Sequence, residues 1–222
     1  MRNEAAQPWP RNAWYQAAWN SELGEKPLAR TIMNEKVVVF RGPDGKAAVL
    51  EDRCCHRAAP LSMGTVLPNG VQCGYHGMVF DGAGKCVWIP GQESTPPQAR
   101  VKAYPTVEKQ EFVWVWMGDP ALADPALILD YPWNDDHAKW PHKHGMYPVK
   151  CNYMLLIDNL MDLTHETYVH STSIGQKEID ETPVNAKTEG DTVVVSRFME
   201  GVIAPPFWQM ALRANHLADT VP

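Results

Sequence analysis

Two short segments of the chain each combine a cysteine with a histidine at a spacing typical of metal ligands. Cys54 and His56 are separated by one residue, and Cys73 and His76 by two. Each segment therefore offers one thiolate and one imidazole. The chain has five cysteines, an odd number that does not suit a secreted disulfide framework. The pattern favours a metal site built from both segments.

The ligand set matches a [2Fe-2S] cluster of the Rieske type, in which two cysteines hold one iron and two histidines hold the other. Histidine ligands raise the reduction potential above that of all-cysteine clusters, so the site could accept an electron from a flavin or ferredoxin donor. A structural zinc is the alternative, because two cysteines and two histidines also satisfy tetrahedral zinc. Zinc fingers group cysteine with cysteine and histidine with histidine, whereas each segment here is mixed. We therefore favour the iron-sulfur cluster.

Other residues near these segments refine the prediction. Cys55 is a third thiol in the first segment, but Cys54 alone gives the Cys-x-His spacing and is the preferred ligand. Cys86 and Cys151 are interpreted as ordinary buried thiols. Three glycines flank the ligands and would let loop backbone approach the cluster, namely Gly64, Gly74 and Gly77.

A second group of polar residues lies in a segment with helical spacing. Asn159, Asp162 and His165 follow at intervals of three, and His170 comes five residues later. Two histidines and a carboxylate with open positions form the facial triad of non-haem Fe(II) oxygenases, so this motif alone would make Asp162 the third ligand. An interval of five places the histidines about 140° apart on a regular helix. We therefore predict a distortion near Thr167 to Val169, although an exposed polar helix face is the alternative.

Two further patterns are assigned to structure rather than chemistry. Trp114 and Trp116 alternate in a strand and are expected to pack in a β domain. His142 and His144 form a His-x-His pair without further partners nearby in the sequence, so surface histidines are favoured over a metal site.

The distribution of strand and turn residues predicts two domains, 1–120 and 121–222. Short β-branched runs separated by tight turns such as GPDGK and DGAGK predict antiparallel hairpins from about Arg30 to Val115. The proline-containing segment 118–133 marks the boundary. Beyond it, a helix is expected over 152–169, beginning near Asn152 or Asp158, and a strand is expected from Asp191.

Composition excludes several classes of partner. The net charge is −6, with basic residues scattered singly, so nucleic acid is an unexpected ligand. No apolar run approaches the roughly 20 residues of a membrane helix, and the start lacks the apolar stretch of a signal peptide. The sequence predicts a cytoplasmic protein.

The two metal segments together resemble a known family. CCHRAAPLSMG and CGYHGMVF resemble the paired loops of Rieske oxygenases, where the first loop commonly reads C-P-H-R-x-A-P-L-S and Cys55 replaces the proline. The segment around His165 and His170 resembles the iron-binding helix of vanillate O-demethylase oxygenase subunits, as do NEKVVVFRGPDG, ADPALI and IAPPFW. The resemblance implies an α+β fold, with an antiparallel β Rieske domain followed by the N-terminal part of a helix-grip catalytic domain.

The resemblance also assigns roles to individual residues. Cys54, His56, Cys73 and His76 would hold the [2Fe-2S] cluster, and His165 and His170 would bind a mononuclear iron. Asp162 would not be the third ligand but would connect this iron to His76 of a neighbouring subunit in a homotrimer. Independently of the resemblance, Asn159 is interpreted as a residue that holds the iron ligands in place, with an exposed helix amide as the alternative. The family's carboxylate ligand comes from a helix far downstream, so we expect an incomplete chain that is inactive alone.

The expected activity is oxidative O-demethylation of a methoxylated aromatic acid such as vanillate, giving protocatechuate and formaldehyde. It would use O2 and electrons from an NAD(P)H-dependent flavin or ferredoxin reductase. The alternatives are a Rieske electron carrier without oxygenase activity, a Rieske oxygenase acting on another aromatic substrate, and a zinc-stabilised binding module.

Overall fold

The chain folds into two compact units, Met1–His144 and Gly145–Pro222. The computed structural model describes residues 9–190 and 192–214. The segment 121–144, which the sequence pattern places with the second domain, lies in the first unit, where Ile128 and Asn134 are buried. The domain boundary near residue 120 itself stays a prediction.

The first unit contains three antiparallel sheets. Their strands are β1 (Ala13–Trp19), β2 (Leu28–Ile32), β3 (Glu35–Arg41), β4 (Ala47–Glu51), β5 (Thr65–Leu67), β6 (Gly70–Gln72), β7 (Val79–Phe80), β8 (Cys86–Trp88), β9 (Ala103–Tyr104), β10 (Thr106–Lys109) and β11 (Phe112–Met117). The strand orders are β1-β11-β10, β2-β3-β4-β9 and β5-β6-β7-β8. The antiparallel sheets and few helices confirm the predicted α+β class.

Strand β3 of the β2-β3-β4-β9 sheet is buried on both faces, which explains its continuous apolar run. Val38 and Phe40 belong to one hydrophobic cluster, and Val37 and Val39 belong to another. All four side chains are fully buried. Because side chains alternate between the faces of a strand, β3 contributes to two cores at once. Each such burial contributes about 1.5–3 kcal/mol.

The hairpin turns and the tryptophan strand agree with the predictions. Strands β3 and β4 pair in register across the GPDGK turn, and β7 and β8 pair across DGAGK. Trp114 and Trp116 in β11 are buried, and the Trp116 indole Nε1–H donates to the Asp119 carbonyl at 2.8 Å. Their predicted packing role is therefore confirmed.

In the second unit, the predicted continuous helix is interrupted. Helix α1 (Tyr153–Met161) begins after Asn152, whose side chain accepts the Met154 N–H at 3.0 Å. Asp162 then adopts extended backbone and caps a 3-10 helix, Leu163–His165, by accepting from Thr164. Helix α2 (Glu166–Val169) follows directly.

A helix therefore ends at Val169, within the segment where a distortion was expected, but the break at Asp162 was not anticipated. Its physical cause is local, because the Asp162 carboxylate bonds the backbone of the next turn instead of leaving Asp162 in the helix.

The remaining elements of the second unit are short. They are α3 (Glu178–Glu181), β12 (Asn185–Glu189), β13 (Thr192–Ser196) and α4 (Pro206–Ala214). Strands β12 and β13 form an antiparallel hairpin. The strand predicted from Asp191 corresponds to β13, with Asp191 itself outside the described residues, whereas β12 was not predicted. Helix α1 and this hairpin contain no buried residue. Among the described residues, no helix has the length and apolar character needed to cross a membrane.

Glu35, at the start of β3, is the acceptor of a charged network in the first unit. Its carboxylate accepts from Tyr104 at 2.7 Å, Lys102 at 3.0 Å and Arg11 at 3.1 Å. Burial raises the pKa of Glu35, but these three hydrogen bonds outweigh it and lower the pKa from 4.5 to about 2. Since the folded pKa lies below the unfolded value, the network stabilises the fold above pH 4.5 and loses this effect as pH falls toward 2.

We expect Glu35→Gln to lower the free energy of unfolding by about 1–2 kcal/mol at neutral pH, since partial exposure screens the network. The difference from wild type should shrink steadily below pH 4.5. Urea denaturation of both proteins across this range measures it. A difference that is independent of pH would contradict the assignment.

Candidate iron-sulfur and iron sites

The two Cys/His segments form loops with the same backbone hydrogen bonds. In the first cluster loop (54–59), the Cys54 N–H donates to the Ala59 carbonyl at 2.8 Å, and the Cys54 carbonyl accepts from Ala58 at 2.9 Å. In the second cluster loop (73–78), the Cys73 N–H donates to the Met78 carbonyl at 2.8 Å, and the Cys73 carbonyl accepts from Gly77 at 3.0 Å. The ligands therefore lie on two matching loops.

Each loop reverses at a residue in the left-handed backbone region, four positions after its cysteine. These residues are Ala58, with φ of 57°, and Gly77, with φ of 75°. Glycine adopts this conformation freely, whereas alanine is strained there. The first loop keeps the same shape without glycine because its two hydrogen bonds hold it.

Gly64 and Gly74 allow the chain segments around the site to lie against each other. A Cβ added to Gly64 would lie 1.8 Å from the Gln72 carbonyl oxygen, and one added to Gly74 would lie 2.9 Å from the Met63 carbonyl oxygen. The predicted close approach of backbone near the ligands is present. Asp52, a buried carboxylate, holds the same region by accepting the Ser62 N–H at 2.7 Å and hydroxyl at 2.6 Å.

The cysteine and histidine ligands differ in their exposure. Cys54 and Cys73 are 3% and 2% exposed and belong to the hydrophobic cluster that also contains Phe40 and Phe80. Burial, together with a hydrogen bond to the neighbouring Cys73 thiol, raises the pKa of Cys54 to about 11. Two adjacent buried thiols lose their protons when they bind a metal, so metal loading of this pair releases protons.

The two histidines lie at the surface, directly beside each other. The rings of His56 and His76 have centroids 4.6 Å apart, and Tyr75, 65% exposed, packs its ring 3.8 Å from that of His76. Two buried thiols and two adjacent surface imidazoles fit the donor set of a Rieske cluster, in which the thiolates would hold one iron and the imidazoles the other.

The other three cysteines do not belong to the proposed set of cluster ligands. Cys55 is exposed, in contrast to its neighbour Cys54. Cys86 is buried, as predicted, and its thiol donates to the Trp88 carbonyl at 3.4 Å. Cys151 is exposed, so its prediction as a buried thiol was wrong. It precedes the capped start of α1, where no other element covers it among the described residues.

In the second unit, His165 and His170 approach each other despite the interval of five residues. Their ring centroids lie 5.4 Å apart at 66°, and both residues are half-buried. His165 Nδ1 lies 2.6 Å from the Asp162 carbonyl oxygen. That bond fixes the tautomer and leaves Nε2 available for a metal, an arrangement common among metal-binding histidines.

His170 follows the end of α2 and anchors the turn after it. Its N–H donates to the Glu166 carbonyl at 3.0 Å, and its own carbonyl accepts from Ser173 at 3.0 Å and Gly175 at 2.9 Å. A Cβ on Gly175 would lie 2.1 Å from the Glu166 carbonyl oxygen. Close packing of this turn on α2 therefore positions the second imidazole.

Asp162 and Asn159 do not complete a three-ligand site. The Asp162 carboxylate accepts the Thr164 hydroxyl at 2.6 Å and the Thr164 N–H at 3.0 Å, and these bonds lower its pKa. Asn159 is exposed on α1, on the other side of the break from His165. Among residues 9–190 and 192–214, no carboxylate joins this histidine pair.

The structure does assemble one three-ligand group that the sequence spacing missed. Glu111, His137 and His142 place one ligand atom each within 4.8 Å of one another. Of these three residues, only His142 belongs to a pattern singled out from the sequence, and that pattern favours a surface histidine. Its neighbour His144 stacks on Trp19 instead, with centroids 4.3 Å apart. Glu111 is 26 residues from His137, so no local pattern could reveal the group.

Comparison with known proteins finds a different protein family in each half of the chain. Residues 13–105 match the Rieske [2Fe-2S] domain, and residues 149–221 match the vanillate O-demethylase oxygenase C-terminal domain. The vanillate O-demethylase oxygenase subunit of Pseudomonas sp. (strain HR199) is 53% identical over 214 residues, covering 96% of this chain and 60% of the relative. The dicamba O-demethylase oxygenase component of Stenotrophomonas maltophilia is 43% identical, covering 88% of this chain and 61% of the relative.

A solved structure shows that the similarity also holds for the fold. The crystal structure of dicamba monooxygenase with non-heme iron and dicamba superposes with a TM-score of 0.72 and 38% identity, covering 90% of this chain and 58% of that one. The chain thus spans about 60% of the length of these relatives. The chain therefore contains a Rieske [2Fe-2S] domain followed by a segment of the vanillate O-demethylase oxygenase C-terminal domain family.

Proposed function

We propose that the chain accepts electrons and binds iron in the oxygenase component of an aromatic O-demethylase. The reaction inserts one atom of O2 into a C–H bond of a methoxy group, and the resulting hemiacetal releases formaldehyde and a phenol. NAD(P)H supplies the two electrons, and the second oxygen atom leaves as water. Vanillate, giving protocatechuate, is the proposed substrate, in keeping with the O-demethylase names of the two relatives.

One observation supports the proposal. The two Cys/His loops have the same backbone hydrogen bonds, the two thiols lie beside each other, and the two imidazoles lie beside each other. Cys54 and Cys73, which are buried in the hydrophobic core, would hold one iron. His56 and His76, which lie at the surface where a reductase can approach, would hold the other. When bound, the cluster supplies one-electron transfer and the mononuclear iron supplies O2 activation.

His165 and His170 would supply two of the ligands for the mononuclear iron. The Asp162 carbonyl orients the His165 ring, and the turn after α2 orients His170. The third, carboxylate, ligand is not among the described residues. We therefore propose that the 222-residue chain transfers electrons but does not demethylate substrate by itself.

The proposal also includes a reductase and neighbouring copies of the subunit as partners. A separate NAD(P)H-dependent reductase is inferred because the dicamba relative is named an oxygenase component. A homotrimer, in which Asp162 would connect the iron to His76 of a neighbouring subunit, is inferred from family resemblance. The exposed position of both residues is compatible with such a contact. We also keep a cytoplasmic location as part of the proposal.

The first experiment is to purify the chain anaerobically and measure its visible spectrum, iron, zinc and acid-labile sulfide. We expect a coloured protein with equal amounts of cluster iron and sulfide and a Rieske-type electron paramagnetic resonance signal after reduction. His76→Cys should shift that signal toward the all-cysteine type, while His144→Ala should leave it unchanged. A colourless, sulfide-free and zinc-loaded protein would support the zinc module instead.

The demethylation step is tested in a chimera, in which the chain is extended by the matching C-terminal part of the vanillate relative. With reductase, NADH and O2, we expect this chimera to form formaldehyde from vanillate, and the 222-residue chain to form none. Absence of formaldehyde from any methoxybenzoate, despite an intact cluster and bound iron, would contradict the proposed activity.

A Rieske electron carrier is the second candidate, because all four cluster ligands lie in the compact first unit. A carrier has no use for the His165 and His170 pair. The two functions therefore differ in their dependence on these histidines.

A further inference from the structure

A group of two histidines and one glutamate lies in the first unit, apart in sequence from the ligands of both iron sites. His137 Nε2 lies 2.5 Å from Glu111 Oε1, and His142 Nε2 lies 3.3 Å from Glu111 Oε2. The imidazole rings stack with centroids 4.5 Å apart at 18°. Both Nε2 atoms thus face the same carboxylate, each toward a different oxygen.

The carboxylate is held in place by an unusual turn. Glu111 and its neighbour Gln110 connect β10 to β11 in a two-residue turn, with φ of 64° and 56°. Glycine and asparagine are the usual residues in such turns, so these two occupy a costly backbone conformation. The Glu111 carbonyl also accepts the Asn20 N–H at 2.8 Å. The strand pair thus fixes the position from which the carboxylate reaches the histidines.

The two histidines are positioned by separate backbone contacts. His137 lies in a turn closed by the Trp140 N–H, which donates to the Asp136 carbonyl at 2.7 Å. His142 Nδ1 lies 2.9 Å from the Trp140 carbonyl oxygen. A proton on Nδ1 satisfies that bond and leaves the Nε2 lone pair pointing at the Glu111 carboxylate. Two electron-rich groups in this arrangement need a proton or a cation between them.

We propose that Glu111, His137 and His142 form a binding site for a divalent transition-metal ion of the Zn²⁺ class. Two imidazoles and one carboxylate are an established ligand set for zinc, with the fourth position left to water. Ligand atoms around tetrahedral zinc lie about 3.3 Å apart, given bonds near 2.0–2.2 Å. The 3.3 Å separation fits, and the 2.5 Å pair has to open by less than 1 Å.

Such an ion would join two parts of the first unit that lie more than 20 residues apart in the sequence. Glu111 belongs to the β10–β11 hairpin, whereas both histidines belong to the segment after the 3-10 helix Pro132–Asn134. Half of the His137 side chain is exposed, at 53%, so an ion can enter without unfolding the unit. The ion would thus stabilise the packing of segment 135–144 against the hairpin.

The test is isothermal titration calorimetry with Zn²⁺ alone. The protein is the full chain with an assembled cluster and with His165→Ala and His170→Ala, which removes competition from the second unit. We expect one Zn²⁺ per chain. His137→Ala, His142→Ala and Glu111→Gln should each weaken Zn²⁺ binding at least tenfold. Zn²⁺ should raise the Tm of the parent but not the Tm of these three variants. The visible spectrum confirms that the cluster stays intact.

His144→Ala is the matched control, since it removes the other member of the His-x-His pair. It should bind Zn²⁺ as the parent does. If His142→Ala impairs folding, the half-exposed His137→Ala decides the question. Undetectable binding at millimolar Zn²⁺, or equal affinity in the parent and in His137→Ala, would overturn the proposal.

Discussion

Replacing Gly64 by alanine should abolish assembly of the iron-sulfur cluster. The new Cβ would lie 1.8 Å from the Gln72 carbonyl oxygen and 3.0 Å from the Leu61 carbonyl oxygen. Both neighbours are backbone, and Gln72 directly precedes the ligand Cys73, so relief of the clash displaces the second cluster loop. We expect the free energy of unfolding to fall by about 3 kcal/mol or more, because backbone must move in a closely packed region.

The measurement combines visible absorption and acid-labile sulfide with urea denaturation. Gly24→Ala is a matched control, since a Cβ there meets nothing within 4 Å. Gly64 itself has φ of −95°, outside the left-handed region, so the expected effect comes from the backbone contacts of the new Cβ rather than from a positive φ. A Gly64→Ala protein with full cluster content would show that the loops can separate without losing the site.

Replacing His165 or His170 by alanine should remove the mononuclear iron and leave the cluster intact. The two imidazoles are the only ligands the described residues offer there, so loss of either leaves one protein donor. We expect affinity for Fe(II) to fall about a hundredfold or more, exceeding the 10–100-fold loss typical of outer-shell partners. Iron per chain should fall to the two atoms of the cluster.

Anaerobic Fe(II) binding, followed by iron and sulfide analysis, measures this change. His144→Ala controls for loss of a histidine that belongs to neither set of proposed iron ligands. In the chimera, either substitution at His165 or His170 should stop formaldehyde formation, while reduction of the cluster by the reductase continues. Formaldehyde formation that survives both substitutions would exclude these histidines as iron ligands and reopen the electron-carrier function.

The burial of the two kinds of cluster ligand suits the proposed transfer of electrons. Cys54 and Cys73 lie in a hydrophobic cluster that β3 and β4 also supply, so the sulfur side of the site is rigid. His56 and His76 lie at the surface, where a donor can approach within a short distance. The three-sheet first unit therefore holds the site firmly while leaving one side accessible.

Local spacing was enough to predict the hairpins and to single out the Cys/His loops and the pair His165 and His170 as candidate ligands. Each of these features depends on residues within a few positions of one another. A turn closed by its own backbone hydrogen bonds brings Cys54 close to His56 wherever the loop lies, and β-branched runs between glycine turns pair with their neighbours. Short-range backbone geometry therefore carries the prediction.

Other features became visible only in the tertiary structure. The helix break at Asp162 arose because its carboxylate bonds Thr164, a choice that helical spacing does not reveal. Cys151 lies at an exposed position although cysteine is a residue type that is usually buried. In both cases one side chain's surroundings outweighed the average preference of its residue type.

The amino-acid sequence by itself indicated the hairpins and the donor residues of the two candidate iron sites through residue types and near-neighbour spacing, and its resemblance to Rieske oxygenases implied the α+β class. Only the tertiary structure decided which thiol of the Cys54 and Cys55 pair is buried, and which histidines meet Glu111. The physical reason is that sheet packing joins residues far apart in the chain. The hairpin carrying Glu111 and the segment carrying His137 and His142 meet through the fold, and no local pattern encodes that contact.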